Sequence, residues 1–284
     1  MGELRRDYIR DSWVIISPKR GARPRQFITN SRKKDDKSCF FCRGNESMTP
    51  PETYRVEEKK KWIIRCFPNK FPAVSEEEQP KLKIINDFIR YQFAYGWHEV
   101  MVDSPWHNKQ LADLPVEHIR KVLQAYSDRV AELSRNKDIK YVAVFKNSEM
   151  EAGTSILHSH SQLIAYNHVS RAVMDEVRAV AKFPKCPYCS IIRMEGKSDR
   201  LAFDNKRAIA FAPYASRHPY ELAIFPKRHV HNITELRDDE LLGIARTVKQ
   251  ALVRLKRLNA PYNMYLHNAP LGEELHFHMK INPR

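Results

Sequence analysis

The residues best suited to chemistry are His158, His160 and Gln162, two imidazoles and an amide at i, i+2 and i+4. They follow an apolar run at 141–145, Tyr-Val-Ala-Val-Phe, and a turn at Gly153, Thr154 and Ser155. On an extended strand this spacing predicts three side chains on one face, about 7 Å apart per step of two. Such a row, after a tight turn, suits the handling of phosphate; the alternative is a surface strand whose histidines fall there by chance.

The five cysteines fall as Cys39-x-x-Cys42, a solitary Cys66 and Cys186-x-x-Cys189. The start of the chain lacks an apolar secretory region, which argues against disulfides and for metal or redox chemistry. A single zinc ribbon needs its pairs about 15–20 residues apart. Here 186 − 42 = 144 positions intervene, so each pair must find its own partners. Cys66 reads as a core thiol.

Those partners emerge from an internal repeat. Each half opens with Cys-x-x-Cys and has a strand with Glu (Glu99, Glu221), followed eight residues later by His (His107, His229). Seven residues on comes Leu at a helix start (Leu114, Leu236), then a strand ending in Asn (Asn147, Asn268), then His-x-His (His158 and His160, His276 and His278). The order predicts an α+β fold built from two copies of one unit, each an antiparallel sheet with a helix, over residues 1–167 and 168–284. It also predicts two Cys2His2 zinc sets: Cys39, Cys42, His107 and His158, and Cys186, Cys189, His229 and His276. A redox role for Cys186 and Cys189 lacks the βαβ context of thioredoxin-like proteins.

The elements that must position these groups are legible in the periodicity. Strands are predicted at 13–18, 61–67, 98–103, 207–212, 221–226 and 262–267. Helices are predicted at 114–133, with Asp113 as a candidate cap, and at 169–181 and 237–256. The charged stretch 75–90 reads as a long excursion, and the Cys186 pair as the opening of a new section.

The totals bound what the chain can do. With 284 residues it can form one large domain or two halves. No apolar run reaches the ~18 residues of a membrane span, so a cytoplasmic protein without membrane partners is expected. The net charge of +15 attracts anions, of which nucleic acid and phosphorylated small molecules are the candidates. The basic residues are dispersed apart from runs such as 32–34 and 59–61, which read as solvated loops. Patterns of common RNA modules are not evident, so no nucleic-acid partner is expected.

Over nearly its whole length the chain resembles the galactose-1-phosphate uridylyltransferase family of the histidine-triad superfamily, and the related ADP-glucose phosphorylases. The resemblance rests on Asn147, Gly153-Thr-Ser155 and His158-Ser-His160-Ser-Gln162. It implies that His158 binds zinc, that His160 is the nucleophile attacking the α-phosphate of a nucleotide sugar, and that Asn147, Ser155 and Gln162 hold phosphate oxygens. Arg23 lies in a segment similar to the family's arginine-containing loop, and Asn69-Lys-Phe71 in one similar to its nucleoside-binding segment, so Arg23, Asn69 and Phe71 are implied nucleotide contacts. The implied fold is a tandem duplication of a histidine-triad-like unit forming a half-barrel sheet with flanking helices, usually a homodimer. The implied reaction is ping-pong uridylyl transfer between UDP-glucose and a hexose 1-phosphate, or ADP-glucose phosphorolysis as the alternative. A zinc module binding nucleic acid is a third reading. His267, His276 and His278 resemble the histidines with which several bacterial relatives build a second metal site together with one Glu. His278-Met-Lys280 lacks the counterpart of Gln162, so the second half is expected to be non-catalytic.

Overall fold

The computed structural model describes residues 3–6, 13–16, 38–77, 81–216 and 218–284. Among them run fourteen strands and four α-helices: β1 Glu3–Arg6, β2 Trp13–Ile16, β3 Tyr54–Glu58, β4 Lys61–Pro68, β5 Lys83–Ile84, β6 Arg90–Phe93, β7 Gly96–Val102, α1 Val116–Leu133, β8 Tyr141–Ser148, β9 His160–Tyr166, α2 Arg171–Val180, α3 Pro187–Glu195, β10 Leu201–Asp204, β11 Ala208–Phe211, β12 Leu222–Pro226, α4 Asp238–Arg257, β13 Tyr262–His267 and β14 His278–Pro283.

Ten strands form one antiparallel sheet in the order β10-β11-β12-β14-β13-β8-β9-β7-β4-β3. Its centre is the β8–β13 pair, where Asn147 faces Asn263 and Val144 faces Leu266. Moving outward, each side runs through the last strand of its half, then the strand before its long helix, then a hairpin. A second sheet, β2-β1-β6-β5, accounts for the stretch read as an excursion: residues 83–84 and 90–93 are strands within it.

Both long helices owe their place to an apolar stripe. Ile119, Val122, Leu123, Tyr126 and Val130 of α1, and Leu241, Ile244, Val248, Leu252 and Leu255 of α4, recur every three or four residues and are buried in the main core. Three acidic residues open α4 and three basic residues close it, matching the helix dipole. Helix α1 begins at Val116 rather than 114, because Pro115 takes the N-cap position after a 3-10 turn at Leu111–Asp113. Asp113 instead accepts a hydrogen bond from the Gln110 N–H.

Strand alternation separates two faces. Ser161 on β9 turns toward α1, where its hydroxyl meets Tyr126 at 2.5 Å. His160 and Gln162 turn the other way, over a small cluster of Cys39, Phe41, Trp62, Phe67, Val100 and Val102. Gly96 starts β7 at φ 145°, with its α-carbon so close to β9 that a Cβ would lie 1.9 Å from the Ala165 carbonyl oxygen.

Candidate active site

Strand β9 begins at His160, so His158 does not share its extended face as the spacing alone predicts. His158 sits in a bend before the strand, its Nε2 donating to the Ser104 carbonyl at 2.8 Å. That bond leaves Nδ1 unprotonated and aimed at the cysteines: it lies 3.6 Å from both Cys39 Sγ and Cys42 Sγ. His107 Nδ1 is 3.3 Å from Cys42 Sγ. In a tetrahedral zinc site, Zn–S near 2.3 Å and Zn–N near 2.05 Å imply a sulfur–nitrogen separation of about 3.6 Å. The donor set therefore fits zinc in identity, spacing and tautomer, the last set by the carbonyl behind the ring.

The second set repeats the arrangement. Cys186, Cys189, His229 and His276 bring their donor atoms within 4.8 Å of one another. His276 Nδ1 lies 3.6 Å from Cys189 Sγ and 3.9 Å from Cys186 Sγ, while its Nε2 donates to the Pro226 carbonyl at 3.1 Å. The knuckles differ in build. Cys39 and Cys42 close a turn through Cys42 N–H to Cys39 O at 3.2 Å. Cys186 caps α3, which begins at Pro187 and carries Cys189 in its first turn. That helix was not read from the sequence, although proline in the first turn is a helix-start signal.

A third cluster was only partly anticipated. Glu176 of α2 accepts a hydrogen bond from His267 Nδ1 at 2.9 Å, lies 3.3 Å from His278 Nε2, and is bonded by the Tyr188 hydroxyl. Burial raises the Glu176 pKa, but the two imidazoles outweigh it and hold the carboxylate ionised well below its usual range. These donors also form a group able to hold a metal ion.

His160 is 7% exposed and lines a cavity with Asn69, Phe71, Ser155 and Gln162. Its Nδ1 lies 2.9 Å from the His158 carbonyl oxygen. A carbonyl can only accept, so Nδ1 carries the proton and Nε2 keeps its lone pair. Burial, with the nearby Lys146 charge, lowers the pKa of His160 to about 4. A neutral imidazole with a free Nε2 is a nucleophile at neutral pH. The preceding turn closes at Gly153, whose φ of 92° favours glycine, and the loop is tied down by Gln110 Nε2 donating to Leu157 O at 2.8 Å.

Of the residues expected at the site, His160, Asn69, Phe71, Ser155 and Gln162 meet at this one cavity. Asn147 is not among the residues lining it; its amide oxygen instead accepts from Asn263 Nδ2 at 2.8 Å, across the central strand pair. Arg23 lies outside the described residues.

Three contributors were missed. Lys146 and Asp103 are buried behind His160, Nζ to Oδ2 at 2.7 Å, and Lys146 also donates to Ser159 Oγ at 2.9 Å and to the His160 carbonyl at 3.0 Å. The side chains of Ser159 and Ser161 both donate to Asp103, each at 2.9 Å. His98 of β7 lies beside Gln162, Nε2 to Oε1 at 2.9 Å. The sequence offered only one signal, polar residues inside otherwise apolar strands.

A buried neutral imidazole facing a cavity, with its neighbour beside a cysteine–histidine cluster, makes a candidate site for group transfer on a large antiparallel sheet. Comparison with known proteins makes this specific. Residues 2–170 match the family model of the galactose-1-phosphate uridyl transferase N-terminal domain, and residues 98–282 match a model described as a domain of unknown function. The chain is 32% identical to ADP-glucose phosphorylase of Arabidopsis thaliana, over 95% of this chain and 79% of that protein. It is 29% identical to galactose-1-phosphate uridylyltransferase of Thermotoga maritima, over 100% of this chain and 87% of that one. The crystal structure of the Arabidopsis ADP-glucose phosphorylase with bound ADP-glucose superposes with a TM-score of 0.77 at 30% identity, covering 100% of this chain and 89% of that one. The chain belongs to the galactose-1-phosphate uridyl transferase family and is an enzyme that transfers nucleotidyl groups.

Proposed function

We propose that this chain moves a nucleoside monophosphate from a nucleotide sugar to a second phosphate acceptor by way of His160. The observation that carries the reading is the His160 Nδ1–His158 carbonyl bond, which leaves Nε2 as the lone pair at the cavity. In the first step that pair attacks the α-phosphorus. The bond from phosphorus to the bridging oxygen breaks, and hexose 1-phosphate departs with its electrons. In the second step a phosphate oxygen of the acceptor attacks the same phosphorus and the imidazole leaves. Gln162 and Ser155 hold phosphate oxygens beside the nucleophile, and Asn69 and Phe71 take the nucleoside. We assign Asn147 to tying β8 to β13 rather than to phosphate, given its bond to Asn263.

Zinc in the two Cys2His2 sets would fix His107 and His158, and His229 and His276, as closed structural centres with no open position. Within residues 1–167, the fixed His158 then sets the carbonyl that orients His160. The mirrored strand order supports a tandem duplication of a histidine-triad-like unit closing into a half-barrel. Residues 168–284 form the non-catalytic copy: Lys280 replaces Gln162, and the Glu176 carboxylate sits against His278 where a substrate phosphate would lie.

UDP-glucose with galactose 1-phosphate as acceptor is the leading substrate pair; ADP-glucose with free phosphate is the second, favoured by the two Cys pairs. Incubation with α-32P-labelled UDP-glucose and ADP-glucose decides. Acid-labile label on the wild type and none on His160→Gly is expected, and the labelled nucleotide names the donor. Salt-dependent binding of nucleic acid with no label from either sugar would overturn the reading.

A further inference from the structure

Among the described residues, His98 is a buried imidazole outside the metal clusters that lies behind two residues of the cavity lining, Gln162 and Asn69. It is 3% exposed and sits on β7, opposite Ile164 and two pairs along from the Val100–Gln162 pair, so it shares their face. Its Nδ1 lies 3.0 Å from the Ala73 backbone nitrogen. A backbone N–H can only donate, so Nδ1 must accept and the ring proton is on Nε2. Nε2 lies 2.9 Å from the side-chain oxygen of Gln162. The Asn69 amide nitrogen is 3.2 Å from the same Nε2, so its hydrogens must point elsewhere.

These contacts form a chain of one polarity: Ala73 N–H to His98 Nδ1, then His98 Nε2–H to Gln162 Oε1. An amide whose oxygen is held on one side presents its NH2 on the other. Gln162 lines the cavity beside His160, so its NH2 faces the place where phosphate charge would develop. The flipped amide would present a carbonyl oxygen to an anion, which is repulsive. The two orientations of a glutamine differ by no steric cost, so something outside the residue must choose.

We infer that His98 is a positioning residue that sets the amide orientation of Gln162, and thereby a donor aimed at the transferred phosphate. The inference rests on the transfer reading above for its catalytic consequence, though not for the tautomer. Loss of the Nε2–H leaves Gln162 free to turn. The effect falls on the transition state, where the donor matters most, more than on substrate binding.

The test compares His98→Leu with His98→Gln. Both leave the Ala73 N–H without its imidazole acceptor, so a general folding cost is common to them. Only the glutamine can offer N–H to Gln162. The rate of nucleotidyl-enzyme formation from the labelled donor should fall roughly ten- to a hundredfold in His98→Leu, with KM changed by less than about threefold, and recover most of the way in His98→Gln. In a Gln162→Ala background, His98→Leu should add nothing, because its target is gone. Equal losses in the two variants, or a further loss of tenfold in the Gln162→Ala background, would overturn the inference, as would wild-type rates in His98→Leu. Nitrogen-15 NMR of His98 gives an independent readout: protonated Nε2 and bare Nδ1 are expected, and the opposite tautomer refutes the assignment. If the wild type takes no label while NMR shows this tautomer, the transfer reading fails and the hydrogen-bond assignment stands.

Discussion

Replacing Lys146 by methionine isolates what the buried ion pair does. The Asp103 side chain is 0% exposed and that of Lys146 1%, so neither charge has water to fall back on. In the wild type the carboxylate accepts from Lys146 Nζ at 2.7 Å and from the Ser159 and Ser161 hydroxyls at 2.9 Å. Lys146→Met keeps the hydroxyls but strands a buried negative charge. Breaking such a pair on one side costs about 3–5 kcal/mol, most of it from the uncompensated charge. A second change, Asp103→Asn, removes the charge while retaining an amide oxygen for the serines, and should return at least half of that loss. Urea denaturation of the two single variants and the double variant measures the cycle. Lys146 also bonds the His160 carbonyl, so nucleotidyl-enzyme formation should remain slower than wild type in the double variant even where stability recovers. A single-variant loss below about 1 kcal/mol, or a double variant as unstable as the sum of the singles, would refute the reasoning.

Zinc analysis of the purified protein should give two equivalents per chain, and prolonged chelation should lower both stability and transfer activity, because His158 then loses the tie that aims its carbonyl at His160. Gly96→Ala should cost several kcal/mol in the same urea assay, since its Cβ would lie 1.9 Å from a backbone oxygen in a sheet that cannot yield. Glu240 is capped by Arg228 through two bonds, at 2.8 and 2.7 Å, and by the Arg237 N–H at 2.9 Å. The Arg228 bonds hold its folded pKa below its ordinary value despite desolvation, so this stability is present above about pH 4.5 and is lost as pH falls through the folded value. Glu240→Gln should therefore be less stable than wild type at pH 7, by about 1–2 kcal/mol, with the gap narrowing in acid.

What the sequence determined follows from periodicity and from donor chemistry. The helices around Val116–Leu133 and Asp238–Arg257 were legible because a stripe at three- and four-residue spacing has few ways to be buried. The two Cys2His2 groups were legible because thiol pairs and histidines recur in one order in both halves, and zinc accepts few alternatives. Where His158 points was not, since spacing places it on a strand that in fact begins at His160, and the Ser104 carbonyl and the Cys39–Cys42 pair hold it elsewhere. Lys146, Asp103 and His98 were invisible for a related reason. Their meaning lies in partners 43, 56 or 64 residues distant in the chain, such as Lys146 with Asp103, Asp103 with Ser159 and His98 with Gln162. Local pattern records which face of an element is apolar. Which polar groups meet across strands depends on register and on the packing of β7, β8 and β9, so tautomers, buried charges and the aim of His160 were decided by the tertiary structure alone.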